Sequence, residues 1–214
     1  MSKDSDKTMK YKTEPESFWS GEGGYIYHDR CSLTEKHYAS RLSLYSSVLS
    51  KTCNINSILE IGAGTGQSLI TLKTLLPEAS LNAIEINEKT AEILKKNLPE
   101  CEIVVDSIME TDIAKKYDLI FTFGLLMTIT EEYLPDIYEK MYTSCNRYIA
   151  FIEYYNPTPA VINYRDGSHL FKRDYAGELM DKYSDLKLVD YGFIYHRDNC
   201  FPMGDFTWFL LEKR

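Results

Sequence analysis

Three glycines in a short stretch are the residues of this sequence that most directly indicate chemistry. The segment Leu59-Glu60-Ile61-Gly62-Ala63-Gly64-Thr65-Gly66 places them after an apolar run and before a stretch of helical spacing. Glycine lets the backbone turn sharply and approach a ligand closely, and the first turn of a helix offers N–H groups without intrahelical partners. The segment therefore predicts a nucleotide-binding turn.

Two acidic residues follow the glycines at the ends of predicted strands. Glu85 lies at about the distance from the turn where a carboxylate accepts hydrogen bonds from both hydroxyls of a ribose. Asp106 ends the next predicted strand, where it can accept a hydrogen bond from an adenine amino group. No phosphate clamp of cations accompanies them, so the pattern predicts an adenosine site without a pyrophosphate.

Short apolar runs alternate with amphipathic stretches from Ser57 onwards, which predicts βα units and a parallel sheet. The predicted strands are 58–61, 81–86, 102–105, 118–123, 148–154, 187–195 and 206–212. The predicted helices are 67–76, 88–97, 131–145 and 175–183. Because a loop with Pro202 and Gly204 joins the last two strands, they are expected to form a hairpin, and residues 55–214 a single α/β domain.

The first quarter of the chain has a different pattern. Residues 1–14 are polar and predict a mobile tail, and 15–54 predict a helical cap. Within the cap, three glycines stand among large aromatic residues in FWSGEGGYIYH, which predicts a bending segment that packs against the rest of the protein. Ser32 and Glu35 have the spacing of a capping box for a helix that runs to about Lys51.

Composition excludes several classes of protein. The 214 residues are 44% hydrophobic and carry a net charge of -8, which suits a globular chain and disfavours nucleic acid as a partner. No apolar run is long enough for a membrane span and no signal peptide is evident, so we expect a cytoplasmic protein. Five scattered cysteines without a C-x-x-C pair predict reduced thiols.

Four segments resemble the class I S-adenosylmethionine-dependent methyltransferases, namely LEIGAGTGQ, AIEIN, VVDSIME and DLIFTFGLLMTI. The resemblance implies a Rossmann-like, mostly parallel seven-stranded sheet that ends in an antiparallel hairpin, with S-adenosylmethionine as cofactor. It also implies cofactor contacts. Gly62, Gly64 and Gly66 match the loop under the methionine part, Glu85 the ribose partner, Asp106 the adenine partner, and Ile86 and Ser107 the residues flanking the adenine.

Four further segments resemble the pseudaminic-acid-biosynthesis-associated methylases: FWSGEGGYIYHDR, EYYNPTP, YRDGSHLFKRDYAGE and LVDYGFIYHRD. This resemblance implies a small-molecule acceptor, such as a nucleotide-activated sugar or a precursor of a surface glycan. Many relatives end the fourth-strand segment with a histidine, but this chain has Thr128 there. A catalytic base must therefore come from elsewhere.

Histidines are the first candidates for that base, because a sugar hydroxyl is a weak nucleophile and needs proton removal near neutral pH. His196 is the leading candidate, and His169 and His28 follow; each has a surface or packing role as its alternative. His169 also lies near Arg165 and Arg173, which could engage a phosphorylated acceptor or simply be solvated.

Residues Glu153, Tyr154, Tyr155 and Asn156 leave the fifth predicted strand at its carboxyl end, where open α/β sheets bind ligands. Glu153 or Asp198 could orient the ring of His196. The alternative for this group is packing of the strand end by the tyrosines.

Aromatic residues near the N-terminus could also contact the cofactor. Trp19, Tyr27 and Arg30 could close over its sulfonium, because an aromatic face attracts a cation, although core packing of Trp19 is an equal alternative. His28 and Cys31 have metal-like spacing, but without further ligands no metal site is expected.

The leading hypothesis is a methyltransferase that acts on an oxygen or nitrogen of a small polar acceptor, with a homodimer left open. The alternative enzyme class is an NAD-dependent oxidoreductase, which is disfavoured because G-x-G-x-G is one residue shorter than the dinucleotide motif. A non-catalytic S-adenosylmethionine-binding protein is the third class.

Overall fold

Seven strands form the main sheet of the protein. The computed structural model describes residues 11, 13–30, 34–163 and 169–214. The strands in chain order are β1 (Ser57–Ile61), β2 (Ser80–Ile84), β3 (Glu102–Val104), β4 (Tyr117–Phe123), β5 (Cys145–Glu153), β6 (Ala160–Asn163), β7 (His169–Lys172), β8 (Leu186–Phe193) and β9 (Thr207–Lys213). The order across the main sheet is β3-β2-β1-β4-β5-β9-β8, and β6 and β7 form a separate hairpin.

Strand direction determines which loops meet. The first five strands are parallel, and β9 runs antiparallel between β5 and β8. Because β8 is antiparallel to β9, it points the same way as β5, and its carboxyl end reaches the same edge of the sheet. The predicted mostly parallel sheet with a closing antiparallel hairpin is confirmed.

Helices cover both faces of this sheet. They are α1 (Glu14–Ser20), α2 (Glu22–Arg30), α3 (Glu35–Leu49), α4 (Gln67–Leu75), α5 (Glu88–Asn97), α6 (Leu134–Thr143) and α7 (Tyr175–Lys182). Alternate residues of β5 enter opposite cores: Ala150 and Ile152 pack with residues of α3, α4 and α5, and Ile149 and Phe151 with residues of α6 and α7. Burial on both faces explains why the central strands are mostly apolar.

The N-terminal segment differs from the expected bend, because it forms two short helices. Thr13 caps α1 through a capping box with Glu16, and Gly21 ends that helix in an extended conformation before α2 begins. Helix α3 is capped by Thr34, whose side chain accepts a hydrogen bond from the His37 N–H. Ser32 of the expected capping box, and residues 1–10 and 12 of the expected tail, lie outside the described residues.

Two other regions depart from expectation. The hairpin of β6 and β7 was not predicted, because its strands have only four residues each. The helix expected from residue 131 begins at Leu134, after a 3-10 turn over Glu131–Tyr133, with Pro135 in its first turn. Within the described part of the chain, no helix is long and apolar enough to cross a membrane.

Candidate active site

The glycine turn lies directly after β1. Gly62, Gly64 and Gly66 have φ angles of 76°, 55° and 80°, in the left-handed region where a side chain is strained. A Cβ at Gly62 would also lie 2.9 Å from Cδ1 of Leu125, in the loop after β4. Both the backbone conformation and the close packing explain why glycine occupies these positions.

Glu85 joins this turn to the end of β2. Its carboxylate is buried, with Oε2 accepting a hydrogen bond from the Gly64 N–H at 2.7 Å and Oε1 accepting one from the Asn87 N–H at 2.9 Å. Burial raises the pKa of Glu85, and these N–H donors oppose the rise. Ile86 follows it, so the residues predicted to bind the ribose and flank the adenine lie beside the turn.

The loop after β3 contacts α1. Asp106 is exposed and accepts a hydrogen bond from the Ser107 N–H, while the buried Ser107 hydroxyl donates to the carboxylate of Glu16. Glu16 was not anticipated as a site residue, because its contact with Ser107 joins positions far apart in the chain.

The rest of the N-terminal segment lies against the glycine turn. Trp19 packs edge-to-face on Tyr27, with ring centroids 5.2 Å apart. The ring of His28 lies on Gly64, where an added Cβ would be 2.6 Å from its Cε1 atom. Burial lowers the pKa of His28 to about 4, so the ring is neutral near pH 7. The side chain of Arg30 lies outside the described part of the structure.

A cluster of buried polar side chains lies next to the glycine turn. Glu60 lies in β1, one residue before its end, and its Oε2 atom is buried without a hydrogen-bond partner. The Nε atom of Arg41 is likewise buried without a partner. Arg41 donates from Nη1 to the Ser68 hydroxyl at 3.1 Å, at the start of α4. Burial raises the pKa of Glu60 to about 8, opposed mainly by the charge of Arg41.

Glu153 has a structural environment at the end of β5. Its carboxylate is buried and accepts three backbone hydrogen bonds, from the N–H groups of Leu125, Leu126 and Met127 at 3.0, 3.1 and 3.2 Å. Burial raises its pKa to about 7. Through these hydrogen bonds Glu153 stabilises the loop after β4, in which Leu125 packs on Gly62. Thr128, in the same loop, donates its hydroxyl hydrogen bond to the Leu125 carbonyl.

His196 lies beyond β8, at the carboxyl edge of the sheet. Its Nδ1 atom is 2.8 Å from Oδ1 of Asp205, and both side chains are about half exposed. The expectation that Asp198 or Glu153 orients the ring is therefore wrong. Asp198 accepts hydrogen bonds from backbone N–H groups of its own loop, and Glu153 is occupied by the loop after β4.

The expected cationic cluster around His169 is not formed by the described residues. His169 is exposed on β7, opposite Asn163 of β6. Arg173 is largely buried and pairs with Glu178 at 2.7 Å and Glu131 at 3.0 Å. Arg165, like Cys31, lies outside the described residues. Among those described, no three His, Cys, Asp and Glu side chains are grouped to hold a metal ion.

The family described as "Methyltransferase domain" matches residues 58–147, which contain the glycine turn, Glu85 and Asp106. Residues 58–147 are therefore similar to a methyltransferase domain. The sheet of the chain agrees with this result, because the antiparallel β9 distinguishes it from the order 3-2-1-4-5-6 of dinucleotide-binding folds.

The chain is also similar to a curated methyltransferase over about half of its length. Malonyl-[acyl-carrier protein] O-methyltransferase 1 of Ilyobacter polytropus is 27% identical over 108 residues, which are 49% of this chain and 39% of that protein. This chain thus spans about two fifths of the length of that curated relative.

Two solved structures share the fold of most of this chain. Magnesium protoporphyrin IX methyltransferase from Synechocystis PCC 6803, with bound S-adenosylmethionine, has a TM-score of 0.68 at 10% identity and covers 95% of this chain and 99% of that one. CalS10, an amino pentose methyltransferase from Micromonospora echinaspora, has a TM-score of 0.63 at 10% identity and covers 89% and 97%. At this identity the similarity shows the fold alone.

Proposed function

We propose that the protein transfers a methyl group from S-adenosylmethionine to an oxygen or nitrogen of a small polar acceptor, such as a nucleotide-activated sugar or a surface-glycan precursor. The observation that carries this proposal is the contact between the Glu85 carboxylate and the Gly64 N–H. The contact supports Glu85 as an acceptor for ribose hydroxyls, because it holds the carboxylate beside three glycines of positive φ within the residues that match the methyltransferase family.

The residues around the turn fit the rest of this cofactor. Glu60 has an unpartnered acceptor oxygen and Arg41 an unpartnered donor nitrogen, so together they suit the ammonium and carboxylate of an amino-acid end. Asp106 and Ser107 would hold the adenine end, and Trp19, Tyr27 and His28 would exclude water from the glycine turn. When bound, the cofactor supplies a methyl group on a sulfonium sulfur.

His196 is the proposed base for a hydroxyl acceptor. With Nδ1 protonated and donating to Asp205, its Nε2 atom would be free to accept the proton of the acceptor as the new bond to carbon forms. A nitrogen acceptor would need alignment more than a base.

A sugar-like acceptor has two lines of support. The first is the resemblance of four segments, among them FWSGEGGYIYHDR and LVDYGFIYHRD, to the pseudaminic-acid-biosynthesis-associated methylases. The other is the shared fold with CalS10, which is described as an amino pentose methyltransferase.

Isothermal titration calorimetry tests whether the protein binds the proposed cofactor. We expect S-adenosylmethionine and S-adenosylhomocysteine to bind, and Glu85→Ala to weaken both by about 10- to 100-fold, since a buried acceptor is lost at about 1–3 kcal/mol. Glu88→Ala, an exposed carboxylate on α5, is the matched control. Binding of NAD in place of these ligands would favour an oxidoreductase. Cofactor binding without turnover on pathway sugars would favour a non-catalytic protein.

A further inference from the structure

A row of three aromatic rings lies at the carboxyl edge of the sheet, beside the glycine turn. Phe123 at the end of β4 packs edge-to-face on Phe206, with centroids 4.9 Å apart, and Phe206 packs on Tyr154, with centroids 5.0 Å apart. We call these three residues the aromatic row. All three side chains are only partly buried, so part of their surface is open to a ligand.

A cation stands at each end of the aromatic row. The Arg41 guanidinium lies 4.4 Å from the centre of the Phe123 ring, and the Lys172 ammonium lies 5.4 Å from that of Tyr154. Arg41 is anchored by Ser68. Among the described residues Lys172 has no carboxylate within ion-pair distance, in contrast to Arg173 beside it, but its charge does act on Asp205, whose pKa it helps to lower.

The aromatic row is connected to the glycine turn through the loop after β4. Leu125 packs on Gly62, and a Cβ at the neighbouring Gly124 would be 3.7 Å from the Met127 methyl carbon and the Phe206 ring. The residue before Phe206 is Asp205, the partner of His196. The row therefore lies between the predicted cofactor loop and the proposed base.

We propose that the aromatic row is the floor of the acceptor site, and that it takes a ring-shaped acceptor whose anionic group, a carboxylate or a phosphate, lies at Lys172. This inference rests on the proposed function and specifies its acceptor. Aromatic faces cover the apolar C–H surface of a ring, while a lysine at the rim attracts an anion and disfavours neutral analogues. Arg173, one of the expected cation partners of a phosphorylated acceptor, is paired with Glu178 and Glu131, and the proposal assigns that role to Lys172.

Three probes that share one sugar ring test this acceptor class: methyl α-D-glucopyranoside is neutral, D-glucuronate carries a carboxylate, and D-glucose 1-phosphate carries a phosphate. Their binding to the protein saturated with S-adenosylhomocysteine is measured by saturation-transfer NMR. We expect at least one anionic probe to bind about tenfold more tightly than the neutral one. Whichever anionic probe binds better identifies the anionic group.

Matched variants test which residues cause the preference for anionic probes and which bind the sugar ring. Lys172→Met should remove the preference for the anionic probe, while Lys96→Met, on the exposed face of α5, should keep it. Phe206→Ala should weaken all probes about tenfold, and Phe201→Ala, an exposed phenylalanine of the same loop, should not.

Calorimetry with S-adenosylhomocysteine separates the two proposals. If the wild-type protein does not bind it, the proposed function fails. If it binds, the acceptor inference is overturned by equal binding of neutral and anionic probes, by no binding of any probe, or by a preference that survives Lys172→Met. A loss of S-adenosylhomocysteine affinity in Lys172→Met would also overturn it, because Lys172 would then act on the cofactor or the fold.

Discussion

The side-chain amide of Asn87 donates a hydrogen bond to the backbone carbonyl of Trp19 at 2.9 Å. The same nitrogen donates to the Gly21 carbonyl at 2.8 Å, and the backbone N–H of Asn87 donates to Glu85. One residue therefore ties the N-terminal helices to the carboxylate beside the glycine turn. Opening of this segment would disturb the predicted ribose contact.

Deletion of residues 1–30 should abolish cofactor binding, because it removes the cover that Trp19, Tyr27 and His28 place on the turn. Calorimetry with S-adenosylhomocysteine measures the loss, and circular dichroism confirms folding. If the truncated protein is folded and binds S-adenosylhomocysteine with normal affinity, the N-terminal helices do not act as a lid over the cofactor.

Asn87→Asp should weaken the attachment of this lid, residues 13–30, and should disturb the fold less than the deletion does. The carboxylate keeps the cap on Thr90 N–H but loses both donors to the lid, so amide exchange of residues 13–28 should accelerate about tenfold. Asn97→Asp, at the other end of α5, is the control. Unchanged exchange in Asn87→Asp would show that these hydrogen bonds do not hold the lid.

The contact of His28 with Gly64 should weaken with acid. The pKa of His28 is about 4 in the folded protein and about 6.5 in an unfolded chain, so the unfolded or opened state binds more protons between these values. Stability of the closed segment should therefore fall as the pH drops from about 6.5 to 4, and stay level above that range. Amide exchange at several pH values measures this, and His28→Phe should flatten the profile.

Glu153→Gln should destabilise the protein by about 1–3 kcal/mol, because one carboxylate oxygen becomes an NH₂ group that faces backbone N–H donors. Urea unfolding measures the loss. Glu132→Gln, on an exposed carboxylate of the same region, should change stability by no more than about 0.5 kcal/mol. Equal stability of both variants would exclude a structural role for Glu153.

His196→Asn should lower kcat on a hydroxyl acceptor by about 10²- to 10⁴-fold and leave cofactor affinity intact. Asp205→Asn should lower kcat less and move the pH profile, because it acts through the ring. His169→Asn is the comparison. If His169→Asn causes the larger loss, the base is His169. If neither variant lowers kcat on a hydroxyl acceptor, the proposed histidine base is refuted.

Local patterns in the sequence were sufficient to predict the main sheet and the glycine turn. Strands such as β1 and β4 are mostly apolar, and the spacing of Gly62, Gly64 and Gly66 indicates a backbone that must adopt positive φ. These features depend on residues within a few positions of one another, so periodicity and glycine spacing reveal them. The mostly parallel sheet with its closing hairpin followed from them.

Only the tertiary structure decided which polar side chains meet. Glu16 with Ser107, Asn87 with Trp19, and Glu153 with the loop after β4 join residues that are 91, 68 and 26–28 positions apart. Such pairs leave no periodic signal, because they form when burial removes water and each polar group must find whichever partner the packed chain brings near. For the same reason Asp205 could not be distinguished from Asp198 as the partner of His196 until the loop between β8 and β9 was folded.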